Sequence, residues 1–298
     1  MADTAVMSPR LWVAGARPRT LPAAVVPVAV GTAAIDTAGL DGLPIWWRVI
    51  AALVVSLALQ VGTNYVNDYA DGERGTDDGR VGPVRLVGSG LASGRQGKIA
   101  AAARFGVAAL VGAALAIVVG PELFVVGALS IVAGWAYTGG PKPYGYLGLG
   151  ELFVFVFFGL VATVGSAYVQ TESIQALPVV AAVPVGLLAV ALLVINNLRD
   201  IPGDTESGKR TLAVRLGDEG TRRLYLLLML GVALGVVACG FFRLPALLGL
   251  VGLVRAIGPV RSVLAGATGR DLIPTLGATG QVQLATGLAL TVGLVVGA

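Results

Sequence analysis

Residues 46–72 read WWRVIAALVVSLALQVGTNYVNDYADG, an apolar run that passes without a break into a cluster of Asn, Asp and Tyr side chains. A helix of about 20 apolar residues crosses a hydrocarbon core roughly 30 Å thick. The run is apolar on every side instead of alternating, which favours a helix over a strand. The stretch therefore predicts a transmembrane helix whose polar end lies at one membrane surface.

Runs of the same kind recur along the whole chain. Hydrophobic residues make up 56% of the 298 residues and charged residues 13%, whereas soluble domains carry roughly 25% charged residues. The candidate spans are 20–36, 46–66, 99–119, 121–138, 146–169, 176–197, 220–241, 244–264 and 279–297. The sequence predicts an all-α integral membrane protein with about nine transmembrane helices, forming one domain over residues 1–298.

The distribution of basic residues predicts the orientation of these helices. With the N-terminus inside, all but two of the 21 Lys and Arg residues fall on one side, the exceptions being Arg48 and Arg243. Lys and Arg collect in cytoplasmic loops of membrane proteins, and the long polar connections 67–98 and 198–219 lie on the same side. We therefore expect a multi-pass protein of the cell membrane with its active site on the cytoplasmic face. The basic charge reflects this topology, so no nucleic-acid partner is expected.

Cysteine and histidine usage excludes several kinds of chemistry. Cys239 is the only cysteine and the chain has no histidine. Disulfides, zinc or haem ligation and a Ser-His-Asp mechanism are therefore excluded. The remaining ligands are oxygen atoms of carboxylates and amides, which favour Mg²⁺ as the metal cofactor.

The first polar cluster continues the second span. Asn67 and Asp71 are four residues apart and Asp68 and Asp71 are three apart, so on a helix their oxygens can converge on one cation. Asn64 lies one turn earlier, and Asp77 follows in the loop. The cluster predicts a metal site.

The second polar cluster closes the sixth span in the same manner. Asn197 precedes Asp200 and Asp204, which again are four residues apart. Pro202 and Gly203 stand between the two carboxylates, so we expect this pair to straddle a helix end. Both clusters end a span on the same side, and together they predict two acidic groups facing one cavity.

Basic side chains are interleaved with these acids: Lys142, Arg199, Lys209 and Arg210. Acids that merely end spans at the water interface would need no such partners, whereas a Mg²⁺-bridged diphosphate requires carboxylates and cations together.

Two further residues can each be interpreted in two ways. Arg19 either orients the chain or binds a substrate carboxylate, and Tyr137 belongs either to an interfacial aromatic belt or to the site.

The motif NDYAD at 67–71, together with the pair formed by Asp200 and Asp204, resembles the paired motifs of the UbiA-type membrane prenyltransferases. Four segments are similar to the branch that prenylates 1,4-dihydroxy-2-naphthoate: RPRTLPA (17–23), GTNYVNDYADG (62–72), YTGGP (137–141) and GYLGLGE (145–151). The resemblance implies helices around a central cavity with Mg²⁺ between the two motifs. Gly75 stands where the family often has its third acid, which leaves the role of Asp77 open.

The resemblance also implies the reaction and the roles of the residues. A polyprenyl group passes from polyprenyl diphosphate to 1,4-dihydroxy-2-naphthoate with loss of diphosphate and CO₂, giving demethylmenaquinone. The implied metal and catalytic residues are Asn67, Asp68, Asp71, Asp77, Asp200 and Asp204, with Lys142 as a further catalytic residue. The implied diphosphate ligands are Asn67, Lys142, Arg199, Lys209 and Arg210. Substrate contacts are expected from Arg19, Asn64, Tyr65, Tyr69, Tyr137 and Asn197, with the tyrosine rings beside the prenyl cation.

Several alternatives stay open at this stage. A CDP-alcohol phosphotransferase would need one contiguous Asp-Gly-x-x-Ala-Arg motif, which the sequence lacks. A cation transporter would place its site near the bilayer midplane, whereas both clusters end their spans. Other acceptors, such as 4-hydroxybenzoate, homogentisate, haem or chlorophyllide, are compatible with the composition. Prenyl length and oligomeric state, including a homo-oligomer, are not determined, and membrane lipid is expected beside the prenyl tail.

Overall fold

The computed structural model describes residues 9–36, 43–75 and 85–298, and the secondary structure in these residues is helical, without strands. Asp77, which we predicted to bind metal, lies outside the described residues. We number the helices in chain order: α1 (Pro9–Gly15), α2 (Pro22–Ala33), α3 (Trp46–Glu73), α4 (Gly94–Val119), α5 (Glu122–Ala136), α6 (Gly150–Thr171), α7 (Ala176–Glu206), α8 (Leu212–Gly240), α9 (Leu244–Leu264) and α10 (Gly269–Val296).

Seven of these helices in the described part of the chain are long and apolar enough to cross a membrane, namely α3, α4 and α6 to α10. The prediction of a multi-pass helical membrane protein is confirmed. Helices α2 and α5 have 12 and 15 residues, and at 1.5 Å per residue they are about 18 and 22 Å long. The predicted count of nine spans is therefore reached only when these two shorter helices are included.

The outer surface of the helices carries large apolar side chains. Leu110, Ile117, Leu227 and Phe241 are each more than half exposed. Such a surface is unfavourable in water but suits a lipid environment, where backbone polar groups are already paired within the helices. The buried residues lie mainly where α7 packs against α8 and α10.

Glycines allow the helices around the centre to approach closely. A Cβ on Gly159 in α6 would lie 2.6 Å from the Cα atom of Gly186 in α7. A Cβ on Gly31 in α2 would lie 2.1 Å from the carbonyl oxygen of Thr163. Small residues at such crossings are typical of membrane helix packing. The wider π-helical turn Phe155–Val161 lies in the same region of α6.

The polar ends of α3 and α7 both extend beyond the predicted spans. Helix α7 continues through Pro202 to Glu206, so the expectation that Asp200 and Asp204 straddle a helix end is wrong. Proline removes a single N–H donor, and the helix is held beyond it, since Ser207 N–H donates to the Gly203 carbonyl oxygen at 2.9 Å. The two carboxylates are therefore one helical turn apart.

Candidate active site

A cavity of about 290 Å³ lies among α2 to α7. Along α3 its lining runs from Ala52 to Asn67, and along α7 from Ala189 to Asp200, so one end is apolar and the other polar. The polar lining includes Arg17, Thr20, Gln60, Asn64, Asn67, Arg85, Asn196, Asn197 and Asp200. The apolar lining includes Leu115, Leu123, Val126, Phe157, Phe158, Val161 and Val169. This shape suits a molecule with a charged head and an apolar tail.

Two guanidinium groups meet at the polar end of the cavity. Arg85 donates to Asn67 Oδ1 at 2.6 Å, and Arg17 donates to the same oxygen at 3.2 Å. Arg17 has a left-handed backbone, with φ of 53°, which is uncommon for a residue other than glycine. The two arginines thus converge on one amide oxygen, and both line the polar end of the cavity.

Asp71 joins three separate parts of the chain. Its side chain is almost fully buried, with 3% of the residue exposed. The Tyr146 hydroxyl donates to its Oδ1, Lys209 Nζ lies 3.2 Å from the same oxygen, and an Arg85 nitrogen lies 3.9 Å from Oδ2. The contacts connect α3 with the segments before α4, before α6 and after α7.

The second cluster presents its two carboxylates differently. Asp200 lines the cavity and accepts two hydrogen bonds, at 2.7 and 2.8 Å, from the buried guanidinium of Arg199. Asp204 lies 4.0 Å from Lys209 Nζ, and its carbonyl oxygen accepts from the Lys209 backbone N–H at 2.8 Å. Arg199 thus orients Asp200, while Asp204 faces the same lysine as Asp71.

Lys209 places a buried positive charge between the two clusters. Only 8% of this residue is exposed, and its ammonium lies 4.7 Å from the centre of the Tyr146 ring. It contacts Asp71 and approaches Asp204. Cation–π and ion-pair contacts of this kind offset part of the cost of burying an ammonium group. The lysine therefore bridges the two acidic motifs electrostatically.

The ligand chemistry of the two motifs fits Mg²⁺ bound together with a diphosphate. Within the described residues, three or more carboxylates do not gather closely enough to hold a metal by themselves. Mg²⁺ is commonly bound through one or two carboxylates, with phosphate oxygens and water completing its octahedron. The oxygen ligands on offer are those of Asn67, Asp71, Asp200 and Asp204, and the bridging ammonium of Lys209 shows that this position accommodates a cation.

Asp68 has partners other than those predicted for it. Its carboxylate accepts from the backbone N–H groups of Leu86 at 2.9 Å and Val87 at 3.2 Å. Consecutive helical residues point about 100° apart. Asn67 therefore lines the cavity, whereas Asp68 faces the backbone of Leu86 and Val87. These bonds fix the backbone next to Arg85. Its predicted role in metal binding stays a prediction.

The predicted aromatic residues divide into two groups. Tyr65 donates from its hydroxyl to the Trp12 carbonyl oxygen at 2.9 Å, and Tyr69 packs against Trp135 with ring centres 5.7 Å apart. Both belong to a buried apolar cluster. Tyr137 lines the cavity. Of the three tyrosines predicted beside the prenyl cation, the structure therefore places Tyr137 at the cavity and the other two behind its wall.

The remaining predicted substrate residues lie on different sides of the wall. Asn64 and Asn197 line the cavity, and Asn64 donates to the Ala16 carbonyl oxygen at 2.9 Å. Lys142, Arg19 and Arg210 are exposed, and the structure does not bring them into the cluster around Asp71 and Asp204. No described contact supports the roles predicted for these three residues, and those roles stay predictions.

Four site residues were not identified from the sequence. Arg17, Tyr144 and Tyr146 lie within or beside the segments that carry the family resemblance, so those segments could have indicated them. Arg85 was counted only as a cytoplasmic charge, and no spacing marks it. Tyr144 donates to the Ala133 carbonyl oxygen at 2.9 Å, and burial raises the pKa of its hydroxyl. The phenol therefore stays neutral and lines the cavity with its ring.

Arg17 and Arg19 provide a matched pair for testing this geometry. Replacing Arg17 with Met is expected to reduce substrate turnover about tenfold, because it removes a charge-assisted hydrogen bond at the cavity. Replacing the exposed Arg19 with Met should change turnover less than twofold. Steady-state rates in vesicles that contain the purified protein would measure both effects. Equal losses in the two variants would contradict the assignment of Arg17, and not Arg19, to the cavity.

The fold and cavity define a class of protein, a multi-pass helical membrane protein that encloses a cavity with one polar and one apolar end. The sequence matches the UbiA prenyltransferase family over residues 24–271, and the chain belongs to that family. The resemblance inferred from the two Asn/Asp motifs is thereby confirmed.

Known proteins show the same relationship. A 1,4-dihydroxy-2-naphthoate octaprenyltransferase of Mycobacterium tuberculosis is 50% identical over 292 residues, which cover 96% of this chain and 97% of that protein. The apo structure of a UbiA homolog from Aeropyrum pernix has a TM-score of 0.69 at 17% identity, covering 92% of this chain and 96% of that one. A UbiA homolog from Archaeoglobus fulgidus bound to DMAPP and Mg²⁺ has a TM-score of 0.60 at 15% identity, covering 94% and 99%. The UbiA-type fold predicted from the sequence is confirmed.

Proposed function

We propose that this protein transfers a polyprenyl group from polyprenyl diphosphate to 1,4-dihydroxy-2-naphthoate in a Mg²⁺-dependent reaction. The allylic C–O bond to diphosphate breaks, and a C–C bond forms at the ring carbon that bears the carboxylate. The bond between this ring carbon and the carboxylate then breaks, and the carboxylate leaves as CO₂. The electrons of the broken bond stay in the ring, which gives the reduced form of demethylmenaquinone. The names of the relatives support this acceptor.

One observation carries the proposal: Lys209 lies between Asp71 and Asp204, and Asp71 is paired with Arg85, which lines the polar end of the cavity. A lysine held in this way can turn its ammonium to a departing diphosphate. Arg85 lies beside the same carboxylate and offers a planar set of donors to phosphate oxygens. Charge that develops on the leaving group is thus stabilised by groups already in place.

Asn67, Asp71, Asp200 and Asp204 are the residues that would hold Mg²⁺. When bound, Mg²⁺ would neutralise the diphosphate oxygens and make diphosphate a better leaving group. Asp200 already lines the cavity, and its pair with Arg199 fixes the direction of its oxygens. A homolog of known structure binds DMAPP and Mg²⁺, which supports this metal.

The apolar part of the cavity has two roles in this reaction. It takes the polyprenyl tail, and it keeps water away from the carbocation that ionisation leaves. The rings of Tyr137, Tyr144, Phe153 and Phe157 line the cavity, and aromatic faces stabilise such a cation. Tyr144 and Phe153 are stacked with ring centres 4.0 Å apart, which holds both rings in place.

The polar end also suits the aromatic acceptor. Arg17 reaches the cavity and provides a guanidinium that matches a carboxylate,. We assign to it the carboxylate contact that the sequence suggested for Arg19. The basic side of the protein, which holds both motifs, corresponds to the cytoplasmic face of the cell membrane under the positive-inside rule.

The test is a transfer assay with radiolabelled polyprenyl diphosphate in vesicles that contain the purified protein. We expect 1,4-dihydroxy-2-naphthoate to be prenylated, with one CO₂ released for each prenyl group transferred. We expect no product with 4-hydroxybenzoate. Chelation with EDTA should abolish transfer, and added Mg²⁺ should restore it.

The two substrates separate the proposal from its alternative. If only 4-hydroxybenzoate reacts, the acceptor is wrong while prenyl transfer is retained. If neither acceptor reacts with donors of several chain lengths, prenyl transfer itself is refuted. Transfer to the naphthoate without CO₂ release would contradict attack at the carbon that bears the carboxylate.

A further inference from the structure

A buried carboxylate outside the two Asp motifs lies directly behind the cavity wall. Glu151 is the second residue of α6, and only 6% of it is exposed. Its Oε1 accepts a hydrogen bond from Asn197 Nδ2 at 2.9 Å. Its Oε2 is buried and has no hydrogen-bond partner in the part of the chain that the structure describes. Glu151 does not line the cavity, whereas Asn197 does.

Burying this carboxylate is costly, so its contact with Asn197 needs a physical reason. A buried polar atom that lacks a partner destabilises the fold, and an apolar residue would fill the same space without this cost. Glu151 has this cost at a point of α6 where it hydrogen-bonds an amide of the cavity wall. The contact therefore points to a role in setting that amide.

The chemistry of the two side chains determines which way the amide faces. Glu151 Oε1 acts as an acceptor in this contact, whereas the Asn197 amide has donors on its nitrogen and acceptor capacity on its oxygen. With Nδ2 held by Glu151, the amide offers its acceptor Oδ1 to a ligand in the cavity that Asn197 lines. Glu151 thus selects one of two orientations that are otherwise nearly equivalent in shape.

We infer that Glu151 is a positioning residue that holds the Asn197 amide so that its Oδ1 accepts a hydrogen bond from a phenolic hydroxyl of the aromatic acceptor. This inference rests on the proposed prenyl transfer to a dihydroxylated ring. Asn197 and Asp200 are three residues apart on α7, and such neighbours lie about 5 to 6 Å apart. The ring would therefore be held one helical turn from the diphosphate motif, beside the bond that breaks.

The neighbouring tyrosine supports this location for the ring. Tyr137 also lines the cavity, and its ring packs against Gly150, where an added Cβ would lie 3.2 Å from the ring edge. The start of α6 therefore places Glu151 behind Asn197 while it leaves room for Tyr137. An aromatic wall and an oriented acceptor atom together form a binding site for a flat ring that carries a hydroxyl group.

The first experiment compares Glu151→Leu with Glu151→Gln in the transfer assay. Leu removes the acceptor for Asn197 Nδ2, and we expect the KM for 1,4-dihydroxy-2-naphthoate to rise about tenfold. The KM for polyprenyl diphosphate should stay within twofold. Gln keeps an acceptor oxygen and should restore the KM for the naphthoate to within threefold of the original protein. Equal effects on both substrates, or no rescue by Gln, would overturn the positioning role.

The second experiment needs no variant at Glu151 and measures hydroxyl recognition directly. The inhibitors 1-hydroxy-2-naphthoate and 4-hydroxy-2-naphthoate each lack one of the two hydroxyl groups. We expect the original protein to bind one of them about tenfold more weakly than the other, and Asn197→Leu to lose this difference. If Glu151→Leu does not fold, this comparison still tests the inference, and equal inhibition constants in the original protein would overturn it.

A double-mutant cycle links the two residues. If Glu151 acts through Asn197, the doubly substituted protein should bind the naphthoate no more weakly than Asn197→Leu alone. Additive losses would show independent roles and overturn the inference. If the original protein does not prenylate 1,4-dihydroxy-2-naphthoate at all, the proposed function fails and this inference fails with it. Normal transfer together with an unchanged KM in Glu151→Leu overturns the inference alone.

Discussion

Replacing Asp71 with Asn should reduce prenyl transfer roughly a thousandfold at saturating Mg²⁺ and substrates, a loss of the size seen when a preorganised charge is removed from a reaction centre. Asn still accepts from the Tyr146 hydroxyl, so the local structure is retained. The charge that holds Lys209 at 3.2 Å and faces Arg85 at 3.9 Å is lost. The two cations then lack their shared anion, and one metal ligand is weakened. Initial rates with radiolabelled donor would measure the loss.

The control for this prediction is Glu73→Gln, two residues later on the same helix. Glu73 is exposed, and its substitution removes the same charge at the polar end of α3. Transfer should stay within about twofold, because exposed charges contribute little. Equal elution of both variants in size-exclusion chromatography would show that they are folded. A rate for Asp71→Asn within tenfold of the original protein would contradict the central position assigned to this carboxylate.

The fold could be predicted largely from the sequence because membrane helices are encoded locally. An apolar run of sufficient length predicts a span without knowledge of its neighbours. The helix ends could not be predicted in this way. The second and sixth spans were expected to end at residues 66 and 197, yet α3 and α7 continue to Glu73 and Glu206. Hydropathy falls there, but side chains from distant segments pair with the polar residues.

The same limitation applies to the site. Helical spacing predicted that Asn67, Asp68 and Asp71 lie near one another, and they do. It did not separate Asn67 from Asp68, which point about 100° apart on the helix, so that Asn67 lines the cavity while Asp68 does not. The direction of each became clear only with Arg85 on one side and the backbone of Leu86 on the other. Such contacts join residues that no local spacing relates.

Lys209 and Arg210 show how much the three-dimensional structure adds. The sequence predicted both as diphosphate ligands, because both are basic and follow the second acidic motif. In the folded chain, only 8% of Lys209 is exposed and it lies between Asp71 and Asp204. Arg210 is exposed, and it contacts Tyr146 through its backbone N–H, which donates to the carbonyl oxygen at 3.0 Å. These two adjacent basic residues thus differ in burial and in the contacts of their side chains with the acidic motifs.

Replacing Lys209 with Met should therefore lower prenyl transfer about a hundredfold, the cost of losing a buried charged partner of the diphosphate. Arg210→Met, the matched control, should change transfer less than threefold. A second readout does not depend on activity. Without the ammonium, the carboxylates of Asp71 and Asp204 lose the cation that lies between them, so Mg²⁺ alone should stabilise Lys209→Met against heat more than it stabilises the original protein.

These two readouts together distinguish a bridging lysine from one that merely supports the fold. A structural lysine would, when replaced, lower thermal stability equally with and without Mg²⁺. The bridging lysine predicts a stability deficit that Mg²⁺ reduces, while transfer stays low because a diphosphate contact is still missing. If Arg210→Met loses as much activity as Lys209→Met, the diphosphate contacts the exposed side chain as well, and the separation of the two residues by burial is wrong.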